Sequence, residues 1–266
     1  MSVADASSPP STEAPPVLTE QRGRTLLVTL NRPAARNAVN LPLAEGIAAA
    51  LDRLDGDDSL SVGVLAGAGK GFCAGMDLKA FVSGQRPWVG DRGFAGITRR
   101  GPAKPLIASV EGFALAGGLE VALACDLIVA AEDARLGLPE VTRGLVAAGG
   151  GLLRLPRRIP YHAAMELALT GAPITAQRGF ELGLVNRVAT PGGALDLALQ
   201  LAETIARGGP LALIASKRIV EEQQDWTRAQ MWARQDEISG PVFGSHDATE
   251  GAKAFAEKRA PDWQGR

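Results

Sequence analysis

Two glutamates stand where a carboxylate could do acid–base chemistry. Glu120 lies in an almost wholly apolar run, FALAGGLEVALACD, and Glu140 lies in GLPEV after a predicted strand. Burying a lone carboxylate is costly unless it is paired or neutralised. Two carboxylates facing one pocket can share a proton, so that one acts as a base and the other as an acid. Two alternatives stay open: Glu120 as a helix N-terminal carboxylate that satisfies backbone donors, and Glu140 as a surface turn residue, which spacing alone favours.

Two glycine-rich segments could hold a negative charge. They are CAGMDL (73–78) and LAGGLE (115–120), and each leads into a predicted helix. The first N–H groups of a helix have no partner within the helix, and the helix dipole favours negative charge there. Two such N–H groups that converge on one point would form an oxyanion hole. Taken alone, either segment is more simply a turn with tight packing.

Other kinds of site are excluded by residue types and spacing. The chain has only two histidines, His162 and His246, and no GxSxG motif, so we expect no Ser-His-Asp triad. In GAGKGF, Lys70 is followed by Gly71 rather than by Ser or Thr, so the segment is not a phosphate-binding loop. No spacing of His and Cys predicts a metal site. We expect both histidines to be structural or surface residues.

The composition is that of an ordinary globular chain. Its 266 residues are 46% hydrophobic and 21% charged, and the net charge of −1 gives no basic field that would attract nucleic acid or an anionic membrane. No apolar run reaches the roughly 18 residues of a membrane span. Cys73 and Cys125 have no CxxC spacing, which predicts reduced thiols and a cytoplasmic location. We therefore expect neither nucleic acid nor a membrane as a partner.

Alternating strands and helices must position these residues. Strands are predicted in RTLLVTLNRP, SVGVLAG, PLIASVEG and LIVAAEDARLGLPEV, and NLPLAEGIAAALDRLDGDD predicts a helix capped by Asn40. The Ser/Pro-rich residues 1–16 predict a disordered leader. This order predicts an α/β core with a helical C-terminal extension. After Gly150, helices are predicted at 162–170, 175–183, 193–207, 210–235 and 247–258.

Four separated motifs, in order along the chain, resemble the enoyl-CoA hydratase/isomerase (crotonase) superfamily. They are LNRPAARNAVN, GKGFCAGMDLKAF, KPLIASVEGFALAGGLEVALACDLIVAAEDARLGLPEV and AFAEKR, and the similarity spans residues 17–260. The resemblance implies an α/β spiral of ββα units over 17–205. It also implies a helical region over 206–266 that drives assembly into a homotrimer or a hexamer. No repeat of 20–50 residues is visible in the sequence, as expected if the units have diverged.

The resemblance implies a role for each candidate residue. The N–H groups of Met76 and Gly117 would form the oxyanion hole, and Glu120 and Glu140 would be the two catalytic acids. Coenzyme A is part of the substrate, so we expect neither a separate cofactor nor a metal. The residues implied in binding the CoA ester are Arg36, Ala74, Gly75, Met76, Asp77, Leu78 and Gly117.

Among the enzymes that the chain resembles, the presence of both glutamates implies an enoyl-CoA hydratase, a lyase of fatty acid metabolism that adds water to an acyl-CoA thioester. The alternatives are an enoyl-CoA delta isomerase that uses mainly Glu140 and a non-catalytic acyl-CoA binder. GFAGIT and FAEKRAPDWQGR resemble carnitinyl-CoA dehydratases, whose trimethylammonium substrate Trp88 could face. In VAAGGG, Ala147 and Ala148 replace the family's usual Pro-Gly, which implies a retuned substrate preference. The acyl pocket is expected around residues 81–100 and the C-terminal helices.

Overall fold

The computed structural model describes residues 14–266, so residues 1–13 of the predicted leader lie outside the described part of the chain. The last residues of that leader contact the core, because Asn31 donates hydrogen bonds to the carbonyl oxygens of Pro15 (3.0 Å) and Pro16 (2.7 Å). The strands are β1 Val17–Arg22, β2 Thr25–Leu30, β3 Val62–Gly67, β4 Trp88–Val89, β5 Gly93–Phe94, β6 Leu106–Val110, β7 Phe113–Leu115, β8 Leu127–Ala131, β9 Arg135–Gly137, β10 Ile174–Thr175 and β11 Arg187–Ala189.

Helices occupy most of the chain after residue 150. Short 3-10 helices lie at Pro33–Ala35, Gly90–Arg92, Pro139–Arg143 and Gln223–Asp225. The α-helices are α1 Leu41–Gly56, α2 Leu78–Val82, α3 Gly117–Ala124, α4 Gly151–Arg158, α5 Tyr161–Thr170, α6 Ala176–Glu181, α7 Ala194–Ala206, α8 Pro210–Glu222, α9 Met231–Phe243 and α10 His246–Glu257.

A six-stranded sheet in the order β1-β2-β3-β6-β8-β11 organises the fold. β1 and β2 pair antiparallel, and the other neighbours pair parallel. The central strands β3 and β6 are buried along almost their whole length, which explains why they appear in the sequence as continuous apolar runs. Asn40 caps α1 as predicted, since its side-chain oxygen accepts a hydrogen bond from the N–H of Leu43 (3.1 Å).

A second, three-stranded sheet in the order β10-β9-β7 carries the strands that lead to the candidate acids. β6 of the large sheet is followed by β7 of the small sheet and then by α3. β8 of the large sheet is followed in the same way by β9, the 3-10 helix Pro139–Arg143 and α4. The two ββα units therefore place Glu120 and Glu140 after adjacent strands of one small sheet, because β7 pairs directly with β9.

The structure differs from the sequence-based expectation in several elements. Strands β10 and β11 lie in the part of the chain where only helices were predicted. β1 was not predicted, because it is an exposed edge strand without a buried face. α4 was not predicted either, because it begins at a run of glycines and contains Pro156. The single helix predicted over 210–235 is wrong. It ends at Glu222, and the polar segment that follows forms local hydrogen bonds, including one from the Thr227 hydroxyl to the Gln230 side chain (2.8 Å).

No helix within residues 14–266 is long and apolar enough to cross a membrane. Both cysteines are unpaired and buried.

The first glycine-rich segment packs directly against β7 and α3. Cys73 forms an isolated bridge with Ala114, and the N–H of Leu115 donates to the Cys73 carbonyl (3.0 Å). A Cβ atom at Gly118 would lie 2.1 Å from that carbonyl oxygen, far inside van der Waals contact. Gly118 therefore lets the backbone of α3 approach the backbone of the 73–78 segment.

Substitution of Gly118 by Ala should destabilise the chain through overpacking. The new methyl group meets backbone rather than a flexible side chain, so we expect the free energy of unfolding to fall by roughly 1–3 kcal/mol. Urea denaturation followed by circular dichroism measures this change.

The matched control is Gly56→Ala. Gly56 is the last residue of α1, and a Cβ there would meet no atom within 4 Å. This variant should be unchanged or more stable by up to about 1 kcal/mol. Equal effects of the two substitutions would contradict the packing argument.

Candidate active site

The two glycine-rich segments present backbone N–H groups side by side. A Cβ at Gly75 would lie 2.9 Å from the backbone nitrogen of Gly117, so the two segments touch at this point. Val39 binds both neighbours of Met76: its N–H donates to the Gly75 carbonyl (2.8 Å), and its carbonyl accepts from the Asp77 N–H (2.9 Å). This parallel bridge leaves the N–H of Met76 on the opposite side of the segment.

Helix α3 begins at Gly117, and the direction of the Gly117 N–H is set by an unusual backbone conformation at the preceding residue. Ala116, which precedes it, has φ +52° and ψ −130°, a positive φ that is rare for a residue with a side chain. The N–H of Ala116 donates to the Gly137 carbonyl of β9 (2.9 Å), which holds this turn. Among residues 14–266, neither the N–H of Met76 nor the N–H of Gly117 donates a hydrogen bond to any atom. Both are thus available to an oxyanion.

Glu120 is buried one turn into α3, as predicted. Its side chain is 4% exposed, and its Oε1 accepts a hydrogen bond from the Gly151 N–H (3.0 Å). Gly149 lies against the other oxygen, where a Cβ would be 2.5 Å from Oε2. Burial raises the pKa of Glu120 to about 6. The Gly151 N–H offsets part of this rise, and the nearby charge of Glu140 adds to it.

Glu140 is buried, so the alternative of a surface turn residue is wrong. It lies on the 3-10 helix Pro139–Arg143 and is 9% exposed. Its Oε2 has no hydrogen-bond partner among the described residues. Burial raises the pKa of Glu140, and a hydrogen bond from its own backbone N–H offsets part of the rise. A buried carboxyl oxygen without a partner suits a site that a ligand or water completes.

One cavity of about 370 Å³ brings these groups together. Of the residues implied in CoA binding, Gly75 and Asp77 do not line it: Gly75 lies at the contact between the segments, and the Asp77 carboxylate contacts Arg32. Ala147 is buried, and Ala148 lines the wall. The lining residues are Arg36, Ala74, Met76, Leu78, Phe81, Trp88, Phe94, Leu115, Ala116, Gly117, Glu120, Pro139, Glu140, Arg143, Leu145, Val146, Ala148 and Gly149.

Sequence reasoning missed most of the apolar wall of this cavity. Phe94 packs its ring against Trp88 (centroids 5.3 Å apart) and also lies against Gly117, where a Cβ would be 2.7 Å from the Phe94 ring. Leu145 and Val146 form part of the wall near Glu140. No local pattern marks these residues, apart from the expectation of an acyl pocket around 81–100.

The rest of the described chain offers no comparable chemistry. A larger cavity, of about 610 Å³, lies between α4 and α8, but it contains neither glycine-rich segment nor either candidate glutamate. No group of three or more potential metal ligands occurs within residues 14–266. His162 and His246 do not line the 370 Å³ cavity. The smaller cavity is therefore the candidate active site.

Comparison with known proteins agrees with this geometry. The family model for enoyl-CoA hydratase/isomerase matches residues 20–266. The chain is 45% identical to the enoyl-CoA hydratase EchA19 of Mycobacterium tuberculosis, covering 95% of this chain and 97% of the relative. It is 39% identical to the carnitinyl-CoA dehydratase of Proteus mirabilis, and the match covers 92% of this chain and 97% of that relative.

A solved structure supports the fold assignment. The crystal structure of an enoyl-CoA hydratase from Mycobacterium tuberculosis H37Rv superposes with a TM-score of 0.93 at 60% identity, covering 95% of this chain and all of that chain. The predicted crotonase-like α/β fold is thereby confirmed. Motifs, fold and site geometry lead to one assignment: the chain belongs to the enoyl-CoA hydratase/isomerase family.

Proposed function

We propose that the chain is a hydro-lyase that adds water, in syn geometry, across the 2,3-double bond of a 2-enoyl-CoA thioester. One observation carries the proposal. Two buried carboxyl groups with raised pKa values, Glu120 and Glu140, line the same cavity as the free N–H groups of Met76 and Gly117. Paired acids beside an oxyanion site are what a hydration needs, because one proton must leave water while another reaches carbon.

The proposed mechanism divides the work between backbone and side chains. The thioester oxygen accepts hydrogen bonds from the Met76 and Gly117 N–H groups, and each could supply on the order of 3 kcal/mol of transition-state stabilisation. One glutamate takes a proton from water as the water oxygen bonds to C3. The other gives a proton to C2 as the enolate collapses. The sum is the addition of one water, and the glutamate pair exchanges its protonation states.

The binding of the CoA portion follows from the walls of the cavity. Arg36 and the backbone of 74–78 would hold the nucleotide and pantetheine, and Arg36, Ala74 and Leu78 line the cavity. The proposal needs no cofactor beyond the CoA of the substrate. A place in fatty acid metabolism and a cytoplasmic location stay predictions.

A carnitinyl-CoA dehydratase activity is a second candidate, and the placement of Trp88 favours it. Its ring lines the cavity and could face a trimethylammonium group. The other candidates are a delta isomerase acting through Glu140 and a non-catalytic binder. The buried carboxyl pair argues against the binder, because a binding site alone would gain nothing from two costly carboxyl groups.

We also propose that residues 206–266 mediate trimer formation, with residues 17–205 as the spiral core. Large apolar side chains on the C-terminal helices are exposed in the single chain. Phe243 is 82% exposed, Phe255 is 87% exposed and Trp232 is 68% exposed. Such side chains are usually covered in an assembly. Pairing of trimers into hexamers stays a prediction of the family resemblance.

Glu120→Gln and Glu140→Gln should each abolish hydration, because each removes one member of the proton-transfer pair. Loss of a positioned acid or base costs on the order of 10²–10⁴-fold in rate. Loss of absorbance of the conjugated thioester measures hydration of 2-enoyl-CoA and crotonobetainyl-CoA, and gain of that absorbance measures isomerisation of 3-enoyl-CoA.

The control is Glu166→Gln on the exposed face of α5, which should keep full activity. Full hydratase activity in Glu120→Gln would disprove the paired-acid mechanism. Turnover of 3-enoyl-CoA alone would favour the isomerase, and tight binding without any turnover would favour the binder.

The pKa of Glu120 should fall when Glu140 is replaced by Gln. The charge of Glu140 contributes to raising the pKa of Glu120 to about 6, so removal of that charge makes ionisation of Glu120 easier. Carboxyl ¹³C NMR of glutamate-labelled protein follows the titration directly, without need of activity. Glu166→Gln should leave the titration unchanged, and an unchanged or higher pKa in Glu140→Gln would contradict the coupling.

Phe243→Ser and Phe255→Ser should each weaken the proposed trimer. Each removes a large apolar side chain that would be buried between subunits. Sedimentation velocity should show smaller species at micromolar concentration. Val82→Ser is the control, since Val82 is equally exposed (85%) but lies on α2, outside residues 206–266. Identical sedimentation of all three variants and the parent would rule out this surface.

A further inference from the structure

An ion pair stands beside the first glycine-rich segment, between Arg32 and Asp77. Both Nη atoms of Arg32 lie 3.1 Å from Oδ2 of Asp77. The side chains are only 23% and 16% exposed, respectively. Partly buried pairs in which one oxygen accepts from both guanidinium nitrogens are held more firmly than exposed ones. This pair therefore fixes the residue that follows Met76.

The other carboxylate oxygen of Asp77 and its backbone N–H also form hydrogen bonds. Its Oδ1 accepts hydrogen bonds from the N–H groups of Lys79 (3.1 Å) and Ala80 (3.3 Å), which caps α2. Its own N–H donates to the Val39 carbonyl (2.9 Å). The hydrogen bonds from Ala80 and Lys79, together with Arg32, hold the pKa of the Asp77 carboxyl below its usual value despite burial. The peptide group that joins Met76 to Asp77 thus has little freedom to rotate.

Arg32 is itself anchored to the core. Its N–H donates to the Asn37 side-chain oxygen (2.9 Å), and its guanidinium also donates to the Ala38 carbonyl. The Asn37 amide in turn donates to the carbonyl oxygens of Ala68 and Gly71 (2.9 Å each). Asn37 is fully buried. Arg32 therefore connects a rigid turn with the segment that carries the Met76 N–H.

We propose that Arg32 is a positioning residue, which holds the Met76 N–H in the geometry of the oxyanion hole through its ion pair with Asp77. The inference rests on the function proposed above, because it concerns the same hole. Arg32 does not line the active-site cavity, so it acts through the backbone and does not touch the substrate. A displacement of about 1 Å in a catalytic group can cost on the order of 10²-fold in rate.

Kinetics of Arg32→Gln should separate positioning from binding. We expect kcat to fall roughly 10- to 100-fold, because the hole donor is displaced, with little change in KM. Arg32→Lys keeps the charge but lacks the planar fork, so its kcat should lie between those of the parent and of Arg32→Gln. The control is Arg22→Gln, which breaks an exposed pair with Glu20 and should leave kcat unchanged. An unchanged kcat in Arg32→Gln would overturn the proposal.

A spectroscopic measurement distinguishes failure of this inference from failure of the proposed function. Butyryl-CoA labelled with ¹³C at the thioester carbonyl cannot be hydrated, and its C=O stretch moves to lower frequency when the hole polarises it. We expect a clear shift on the parent protein and a smaller one on Arg32→Gln. Equal shifts on both would overturn the role of Arg32 alone. No shift on the parent would count against the hole itself.

Asp77→Asn provides a second route if Arg32→Gln folds poorly. The amide oxygen can still cap α2, but the charge that holds Arg32 is gone. We expect the same loss of kcat and of the infrared shift. The double variant should be no worse than either single variant, because all three break one interaction. Additive losses in the double variant would show that the two residues act separately and would overturn the proposal.

Discussion

The close contact between the 73–78 segment and the start of α3 is the constraint on which the site depends. The two stretches of backbone pack so closely that no Cβ atom fits between them. A side chain at Gly75 or Gly118 would therefore prevent the contact. The contact joins units that are about forty residues apart in sequence, and it rests on hydrogen bonds between Cys73 and strand β7. Every later feature, from the paired N–H groups to the depth of Glu120, follows from that approach.

The buried acids oppose folding at neutral pH. The pKa of Glu120 rises from its ordinary value of 4.5 to about 6 in the folded chain. Ionising this group therefore costs stability, by about 2 kcal/mol once the pH is well above 6. This destabilisation is absent below the unfolded pKa, grows as the pH rises from the unfolded to the folded pKa, and is constant above the folded pKa. Such a cost is tolerated where the protonation state serves a reaction, and the hydrogen bond from Gly151 limits it.

Local signals explain what the sequence could reveal. Continuous apolar runs predicted the central strands, the Asn40 cap predicted the start of α1, and the glycines before a helix predicted the depth of Glu120, because each signal depends on neighbours in sequence. The hydrogen bond from the Gly151 N–H to Glu120 joins residues 31 positions apart, and no pattern in either segment predicts it. Spacing alone favoured a surface position for Glu140, but the side chain is buried. Its burial depends on the tertiary packing of β9 and the following turn, which spacing does not show. The family motifs gave the fold and the pairing of roles that local patterns could not supply.

Ala116 has a consequence for how the molecule responds to stress. A positive φ on a residue with a side chain costs of order 1–3 kcal/mol, and the surrounding bonds maintain it. One of these bonds runs from Ala116 to Gly137 in a three-stranded sheet whose strands are only two or three residues long. Helix α3 is buried along almost its whole length, so the turn cannot open without disturbing the packing around it. The strain at Ala116 is therefore not released locally, and on heating the turn should unfold together with the structure that surrounds it.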